Sequence, residues 1–356
     1  MGNSADKIKP EVRALRAYTL SPDRARLKIN QNGNPWDAPA RIKAETLRRL
    51  EARKWSRYPD FTAASLHARL AKFSGWQTKG IVAGNGSNEL IQALLMVTVG
   101  PGKRVLICEP TFALYRQITT VLGGEVISLP LTLELSYDTV ALQRTVKDLQ
   151  PDVTIICSPN NPTGCVLDDR DMRALLESTN GLLVIDEAYH EFAEHSVVTL
   201  LPDHENLIVL RTFSKAMALA ALRVGYLLAV PELATEVSKA VLPYNLNAVS
   251  QTAAEVAVEM YEDELRPLVR KIITERERLY RELSRIKSLT PVPSLANFII
   301  VKSSIDPKQV FAELLKRNLL IRDVSGHPML SDYFRLSVGT PEENDLLLSA
   351  LREICG

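Results

Sequence analysis

The feature that most constrains the fold is a regular alternation of apolar and amphipathic segments between residues 81 and 230. Short apolar runs recur there, and segments with helical spacing separate most of them. The runs predicted as strands are residues 81–82, 104–108, 125–129, 153–157, 182–185, 207–210 and 224–230. Because the runs are almost continuously apolar, both faces of the sheet must be covered. The pattern therefore predicts an α/β fold with a mostly parallel central sheet sandwiched by helices.

The pattern changes after Pro243. Residues 247–286 form one long amphipathic stretch rich in glutamate and arginine, which predicts a long helix. Short apolar runs then alternate with helical segments, which predicts a second, smaller α/β domain. The first residues are polar and rich in arginine, as is typical of an arm that lies against another part of a molecule. We therefore expect an N-terminal arm at 1–33, a large domain at 34–243 and a small C-terminal domain at 244–356.

The composition is that of an ordinary globular protein, with 46% hydrophobic and 24% charged residues. A formal net charge of +1 favours neither a nucleic-acid nor a membrane partner. The N-terminal segment does not have the apolar core of a signal peptide, and no run is long enough to cross a membrane. The four cysteines are scattered, which favours neither a disulfide framework nor a zinc site. These observations predict a cytoplasmic protein.

A single lysine follows the apolar run at 207–210. Lys215 lies among small apolar residues, and partial burial lowers the pKa of an amine, as imine formation requires. Thr212, Ser214 and Arg223 are close to it in sequence and carry groups that bind phosphate. A lone Ser-Lys pair is more often part of a surface loop. A nucleophilic lysine beside phosphate-binding groups nevertheless indicates pyridoxal phosphate as the cofactor.

Other polar residues directly follow predicted strands, where open parallel sheets bind their ligands. Asp186 ends a run of four apolar residues, and a buried carboxylate there needs a cationic partner such as a protonated pyridine nitrogen. Asn161 and Tyr189 have groups that donate hydrogen bonds to the phenolate oxygen of the same ring. Each has an ordinary alternative, because Asp186 could cap a helix and residues 161–164 could form a simple turn.

Two further features fit a cofactor site. Ser87 and Asn88 follow Gly86 at the start of a predicted helix, where backbone N–H groups favour a phosphate. Phe112 is placed to stack on the cofactor ring, although a core position would explain it equally well. Taken singly, each of these residues is better explained by structure alone. Their occurrence at successive strand ends favours a common site.

Five motifs, in this order and spacing, resemble those of the fold-type I pyridoxal-phosphate aminotransferases. They are the segments 57–59 (Arg-Tyr-Pro), 158–164 (Ser-Pro-Asn-Asn-Pro-Thr-Gly), 186–189 (Asp-Glu-Ala-Tyr), 211–216 (Arg-Thr-Phe-Ser-Lys-Ala) and 334–340 (Phe-Arg-Leu-Ser-Val-Gly-Thr). More narrowly, nearly the whole chain is similar to the histidinol-phosphate aminotransferases. The resemblance implies a homodimer that transfers the amino group of L-histidinol phosphate to 2-oxoglutarate in histidine biosynthesis.

The resemblance also implies a role for each matching residue. Lys215 would bind the cofactor covalently and move the proton between Cα and C4′, and Asp186 would pair with the pyridine nitrogen. Asn161, which would precede a cis proline, would hold the ring oxygen together with Tyr189. The remaining residues would bind four groups: the cofactor phosphate (Ser87, Asn88, Thr212, Ser214 and Arg223), the cofactor phosphate of the other subunit (Tyr58), the anionic end of the substrate (Arg335 and Arg322) and the imidazole of the substrate (Tyr18).

The chain departs from this pattern at Gly33, where the family often has a glutamate. Two other reactions stay open on the same scaffold: an aromatic amino acid aminotransferase, and a decarboxylase or lyase that acts on an amino acid phosphate. A ligand-sensing module of a transcription regulator would need a DNA-binding segment, and no basic helix-turn-helix precedes the predicted domains. His190 and His195 are five residues apart and lie on different helix faces, so no metal site is predicted.

Overall fold

The computed structural model describes residues 4–15, 17 and 23–356. The α-helices are α1 (Pro10–Arg13), α2 (Ala40–Glu51), α3 (Ala64–Ser74), α4 (Ser87–Thr98), α5 (Leu114–Leu122), α6 (Thr139–Leu149), α7 (Asp169–Ser178), α8 (His190–Ala193), α9 (Pro231–Ser238), α10 (Ala248–Glu259), α11 (Arg266–Leu283), α12 (Pro307–Lys316) and α13 (Pro341–Cys355). The strands are β1 (Leu27–Lys28), β2 (Ile81–Gly84), β3 (Arg104–Glu109), β4 (Glu125–Pro130), β5 (Val153–Cys157), β6 (Leu182–Asp186), β7 (Leu207–Thr212), β8 (Gly225–Leu228), β9 (Leu289–Pro291), β10 (Phe298–Ser303), β11 (Leu319–Leu320), β12 (Arg322–Asp323) and β13 (Tyr333–Ser337).

The larger sheet has seven strands in the order β2-β8-β7-β6-β5-β3-β4. Strands β3 to β7 are parallel to one another, whereas β8 runs antiparallel to both β7 and β2. The predicted α/β fold with a mostly parallel sheet is therefore confirmed. All seven predicted apolar runs coincide with strands of this sheet.

Apolar cores cover both faces of this sheet. Along β5, Val153, Ile155 and Cys157 pack into one core, and Ile156 packs into the other. Helices α4 and α9 contribute to the first of these cores, and α3, α6, α7 and α10 to the second. Because side chains alternate between the faces of a strand, burial of both faces explains why the strands are apolar throughout.

A second sheet of four antiparallel strands has the order β12-β13-β10-β9. Its core includes side chains of α11, α12 and α13. The N-terminal segment also joins this part of the molecule, since β1 pairs in parallel with β11 through Leu27 and Leu319. Residues 27–32 thus contact the C-terminal part of the chain, including Ser337 of β13. The proposed division at residues 33 and 243 stays a prediction.

The amphipathic stretch at 247–286 is not one continuous helix, and the prediction of a single helix is wrong. α10 ends at Glu259, a π-helical turn covers Tyr261–Leu265, and α11 begins at Arg266. Pro267 stands in the first turn of α11, and a proline has no N–H to continue the helical ladder. The interruption separates α10, which packs on the larger sheet, from α11, whose Leu279 and Leu283 pack on the smaller one. In the described part of the chain, no helix is long and apolar enough to span a membrane.

Candidate active site

Side chains from neighbouring strand ends meet at one edge of the larger sheet. Asp186 is the last residue of β6, Lys215 follows the end of β7, and Asn161 follows the end of β5. Because β5, β6 and β7 are adjacent and parallel, their carboxyl ends lie at the same edge. The structure therefore brings together the three residues that the sequence analysis places at the cofactor ring.

The amine of Lys215 is partly buried at this edge. Its Nζ donates a hydrogen bond of 3.0 Å to the carbonyl oxygen of Gln31 and lies 5.7 Å from the ring centre of Tyr189. Burial, followed by repulsion from Arg335 and Arg223, lowers the pKa of Lys215 to about 7. A substantial fraction of this amine is therefore neutral near neutral pH, and a neutral amine is the nucleophilic form.

Asp186 is a buried carboxylate with two hydrogen-bond donors. The phenol of Tyr115 donates to Oδ2 at 2.6 Å, and the backbone N–H of Ala188 donates to Oδ1 at 3.1 Å. Burial raises the pKa of Asp186 to about 6, although both hydrogen bonds act to lower it. A carboxylate in this position would gain stability from a cationic partner, since burial without one is costly.

Tyr189 is buried beside Lys215. Its phenol oxygen accepts a hydrogen bond of 3.1 Å from Nδ2 of Asn32, and its ring packs edge-on against Phe298 at 5.1 Å. Burial raises the pKa of Tyr189, and the charge of Arg335 opposes this effect. The phenol is therefore protonated at neutral pH, as a hydrogen-bond donor must be.

The loop that carries Asn161 is fixed by its neighbour Asn160. The amide of Asn160 donates to the carbonyl oxygen of Pro110 and to Oγ1 of Thr163, both at 2.9 Å, and accepts from Oγ1 of Thr111 at 2.8 Å. The peptide bond between Asn161 and Pro162 is cis, as the resemblance implies. These bonds connect the ends of β3 and β5.

A cradle for an anion lies at the N-terminus of α4, beside Arg223. The Nη1 of Arg223 donates to Oγ of Ser214 at 3.0 Å and to the carbonyl oxygen of Ala220 at 3.1 Å. Gly86 precedes Ser87 with φ 80° and ψ 163°, a conformation that essentially only glycine adopts. A Cβ atom at Gly86 would lie 2.5 Å from Nη2 of Arg223, so a side chain there would fill the cradle.

Other predicted members lie around this cradle. Thr212 and Ser214 are buried, and the N–H of Ser214 donates to Oγ1 of Thr212 at 3.2 Å. Ser87 is buried at the start of α4, whereas Asn88 is exposed beside it. Unpaired N–H groups at the start of a twelve-residue helix favour an anion. The set therefore offers a guanidinium, hydroxyls and helix N–H groups, which are the donors that bind a phosphate.

Arg335 connects the smaller sheet to the site. Its Nη1 donates to Oδ1 of Asn161, its Nη2 donates to the carbonyl oxygen of Asn30 at 2.9 Å, and its guanidinium lies 5.2 Å from the ring centre of Phe298. Arg322 lies opposite Arg335 in the register of β12 and β13 and is half-buried. The two arginines thus lie on neighbouring strands, and the guanidinium of Arg335 reaches the loop that follows β5.

Two of the predicted site residues have other surroundings, and a third is not in the described part of the chain. Tyr58 is 80% exposed on the surface of the single chain, where it stacks on Tyr244 at 4.5 Å between ring centres. Phe112 packs edge-on against Tyr115, the hydrogen-bond partner of Asp186, at 5.6 Å between ring centres. Tyr18 lies outside the described residues.

Sequence reasoning missed Tyr115, Asn32 and Gln31, which contact the predicted residues directly. Tyr115 is an aromatic residue on an apolar helix face, and nothing in the local pattern shows that its hydroxyl meets a carboxylate. Among the residues that the structure describes, no group of three or more His, Cys, Asp or Glu side chains could hold a metal ion.

Comparison with known proteins defines the class of protein first. Residues 24–351 match the model of the class I and II aminotransferases, and the chain belongs to this family. It is 37% identical over 350 residues to the histidinol-phosphate aminotransferase of Chlorobium phaeobacteroides, a match that covers 98% of this chain and 97% of the relative. The resemblance to the histidinol-phosphate aminotransferases is therefore confirmed.

Solved structures have the same fold. The histidinol-phosphate aminotransferase of Sinorhizobium meliloti, solved in complex with pyridoxal 5′-phosphate, superposes with a TM-score of 0.88 at 25% identity and covers 98% of this chain and 97% of its own. A decarboxylase of Sulfurospirillum multivorans superposes with a TM-score of 0.85 at 25% identity, over 94% of this chain and 89% of its own. The predicted fold type is confirmed, and both reactions occur among proteins of this shape.

Proposed function

We propose that this enzyme is a pyridoxal-phosphate aminotransferase that converts L-histidinol phosphate and 2-oxoglutarate into imidazole acetol phosphate and glutamate. The observation that carries the proposal is the juxtaposition of Lys215, with a pKa of about 7, and the buried carboxylate of Asp186 at the sheet edge that also holds Ser214 and Arg223. The full-length similarity to histidinol-phosphate aminotransferases supports the choice of amino donor. The four free thiols are consistent with the cytoplasmic location that we also propose.

The residues of the site fit pyridoxal phosphate. The cradle formed by Ser87, Thr212, Ser214 and Arg223, with Asn88 at its edge, would hold the phosphate. Asp186 would hold the pyridine nitrogen, and a cation there removes the cost of burying this carboxylate. The groups proposed to complete the site are Asn161 and Tyr189 at the ring oxygen and Phe112 on the ring face.

When bound, the cofactor supplies a conjugated ring that accepts the electron pair released at Cα of the amino substrate. Lys215 would hold the cofactor through its Nζ. As a neutral amine, the same Nζ would be able to take the proton from Cα of the substrate and return it at C4′, and a pKa of about 7 is well matched to both transfers. Asp186, as a carboxylate, would keep a proton on the pyridine nitrogen.

Arg335 and Arg322 would bind the anionic end of the substrate. A guanidinium presents paired N–H donors to either a phosphate or a carboxylate, so the same residues serve the amino donor and 2-oxoglutarate. The contact of Arg335 with Asn161 supports an anion site beside the residue proposed for the ring oxygen. Tyr18 is proposed to cover the imidazole.

The active form is proposed to be a homodimer in which Tyr58 reaches the cofactor phosphate of the partner subunit. Support comes from an aromatic surface cluster around Tyr58, in which Tyr244 contacts both Tyr58 and Phe61, and Trp55 lines the same cleft as Tyr58. Its members are exposed to an extent that is unusual for large apolar side chains. They are Trp55 at 83%, Tyr58 at 80%, Phe61 at 62% and Tyr244 at 41%.

The test is a panel of amino donors with 2-oxoglutarate. We expect glutamate to form fastest from histidinol phosphate, more slowly from phenylalanine and tyrosine, and at a background rate from aspartate. Faster turnover of phenylalanine would favour the aromatic aminotransferase instead. Release of carbon dioxide from an amino acid phosphate, without glutamate formation, would favour a decarboxylase like the S. multivorans neighbour.

The role of Lys215 is tested separately. Borohydride reduction followed by peptide mass mapping should place the cofactor on Lys215, and Lys215→Ala should lose both the label and the turnover. Lys239, an exposed lysine paired with Glu236, offers a control. Lys239→Ala should keep both properties. A label on another lysine, or turnover by Lys215→Ala, would contradict the assignment.

A further inference from the structure

Asn32 is buried between Tyr189 and Ser337, although no motif of the sequence analysis includes it as a functional residue. Its Nδ2 donates to the phenol oxygen of Tyr189 at 3.1 Å. Ser337, on β13 of the smaller sheet, contacts the other side of the same amide. Asn32 thus lies between a residue proposed for the cofactor ring and the C-terminal sheet.

The orientation of the Asn32 amide is fixed by Ser337. The backbone N–H of Asn32 donates to Oγ of Ser337 at 2.8 Å, and this hydroxyl donates in turn to Oδ1 of Asn32 at 3.1 Å. Because Oδ1 is engaged as an acceptor, the NH₂ group must point the other way, toward Tyr189.

The backbone of Asn32 is also held in place. Its φ angle is 54°, in the left-handed region that asparagine tolerates better than most residues. Its carbonyl oxygen accepts a hydrogen bond of 3.0 Å from Nδ2 of Asn297, which is fully buried. Three hydrogen bonds therefore fix Asn32 independently of Tyr189, and the amide is preorganised when it meets the phenol.

A phenol that accepts a hydrogen bond at its oxygen still has its own proton to donate. Donation by Asn32 withdraws electron density from the oxygen, so the remaining O–H becomes a stronger donor. Asn32 occupies one side of the phenol oxygen and thereby directs the O–H elsewhere. The charged and titratable groups that face Tyr189 are Arg335 from β13, Asp186 from β6, Cys157 from β5 and Lys215 after β7.

We propose that Asn32 is a positioning residue that orients and polarises the Tyr189 hydroxyl toward the ring oxygen of the cofactor. The proposal rests on the proposed function, because the acceptor of the phenol proton belongs to pyridoxal phosphate. A stronger donor stabilises the deprotonated ring system and lowers the pH at which its absorption band changes. Asn32 therefore acts on the cofactor only through Tyr189, and Ser337 acts on Tyr189 only through Asn32.

The experiment is a pH titration of the absorption band of the cofactor-loaded protein. Asn32→Gly removes the amide and keeps a residue that tolerates a positive φ. Loss of one hydrogen bond of ordinary strength should raise the midpoint by about 0.5 pH unit. Ser337→Ala, which keeps Asn32 but releases its amide, should raise the midpoint by a smaller amount.

Tyr189→Phe provides the decisive background. Tyr189→Phe alone should raise the midpoint more than Asn32→Gly does, and adding Asn32→Gly to it should cause no further change. Asn32→Gly could instead shift the midpoint equally in the wild type and in Tyr189→Phe, or cause no shift in the wild type. Either result would overturn the role of Asn32 and leave the proposed function intact. A wild-type protein that takes up no pyridoxal phosphate would overturn the proposed function, and the role of Asn32 with it.

Discussion

Tyr115 donates a hydrogen bond of 2.6 Å to Oδ2 of Asp186, and both side chains are buried beneath the candidate site. Burial raises the pKa of Asp186 to about 6, and the bond from Tyr115 opposes this rise. The phenol therefore helps to keep Asp186 ionised near neutral pH. If Asp186 holds the pyridine nitrogen, Tyr115 supports cofactor binding without contact with the cofactor.

Tyr115→Phe should weaken binding of pyridoxal phosphate more at pH 6 than at pH 8. Removal of the phenol raises the pKa of Asp186, so a larger fraction of the acid is protonated at the lower pH. A hydrogen bond to a charged group contributes about 1.5–3 kcal/mol, which corresponds to a loss of affinity of about tenfold or more. Cofactor titration by absorbance at the two pH values measures the effect.

Tyr137 offers the matched control for this change, because its buried phenol donates at 2.6 Å to the neutral carbonyl oxygen of Cys157. Tyr137→Phe should reduce thermal stability without altering the pH dependence of cofactor affinity. A pH dependence in Tyr115→Phe that equals that of the wild type would contradict the role of Tyr115.

Gly86→Ala should weaken cofactor binding strongly. The new Cβ would lie 2.5 Å from Nη2 of Arg223 and would displace the guanidinium from the cradle. Gly102 also has a positive φ, at 81°, but its Cβ would meet nothing within 4 Å. Gly102→Ala should cost only the backbone strain of about 1–3 kcal/mol in unfolding free energy. Equal affinity of the two variants for pyridoxal phosphate would show that the cradle does not bind its phosphate.

Lys215→Met should stabilise the cofactor-free protein, and the gain should be larger at pH 6 than at pH 9. The pKa of Lys215 is about 7 in the folded chain, below the value of 10.5 for a free lysine. The charged lysine therefore destabilises the folded chain, by an amount that grows as the pH falls from 10.5 to about 7 and stays constant below that. Urea unfolding of both proteins at the two pH values measures the difference, and a constant gap would contradict the lowered pKa.

Arg335→Lys should raise KM for both histidinol phosphate and 2-oxoglutarate by about tenfold or more, because an ammonium cannot replace the paired donors of a guanidinium. Uptake of pyridoxal phosphate should change little. Arg317, which pairs with Glu313 at the surface, provides the control through Arg317→Lys. A large loss of cofactor affinity in Arg335→Lys would move this residue from substrate binding to the cofactor.

The sequence predicts those parts of the site that directly follow a strand. An apolar run that ends in Asp186 predicts both the strand and a polar group at its end, since parallel strands present their carboxyl ends at one edge. The same reasoning places Lys215 and Asn161 without any knowledge of side-chain contacts. The family, the fold and the aminotransferase class were all within reach of such patterns and are confirmed.

Contacts between distant elements could not be predicted in this way. The partners Tyr115 and Asp186 are 71 positions apart, and Asn32 and Tyr189 are 157 positions apart. Which hydroxyl meets which amide depends on how α5 and the N-terminal segment pack, and local periodicity carries no information about this. Pro267 is a signal in the sequence that a helix begins nearby. The amphipathic pattern nevertheless continues across the π-helical turn at Tyr261–Leu265, so periodicity alone does not indicate that one helix ends there.

Two long-range pairings also bear on the stage of synthesis at which the active site can be completed. Leu27 pairs with Leu319, and Asn32 bonds to Ser337, which is 305 positions further along the chain. The ribosome releases the first of these segments long before the last, so the early segment must wait for its partners. We expect a nascent chain that has emerged only as far as α11 to hold Lys215 and Asp186 yet to leave Asn32 without its anchor. Premature termination before β13 would therefore yield an inactive product, although all the residues proposed to hold the cofactor precede that point.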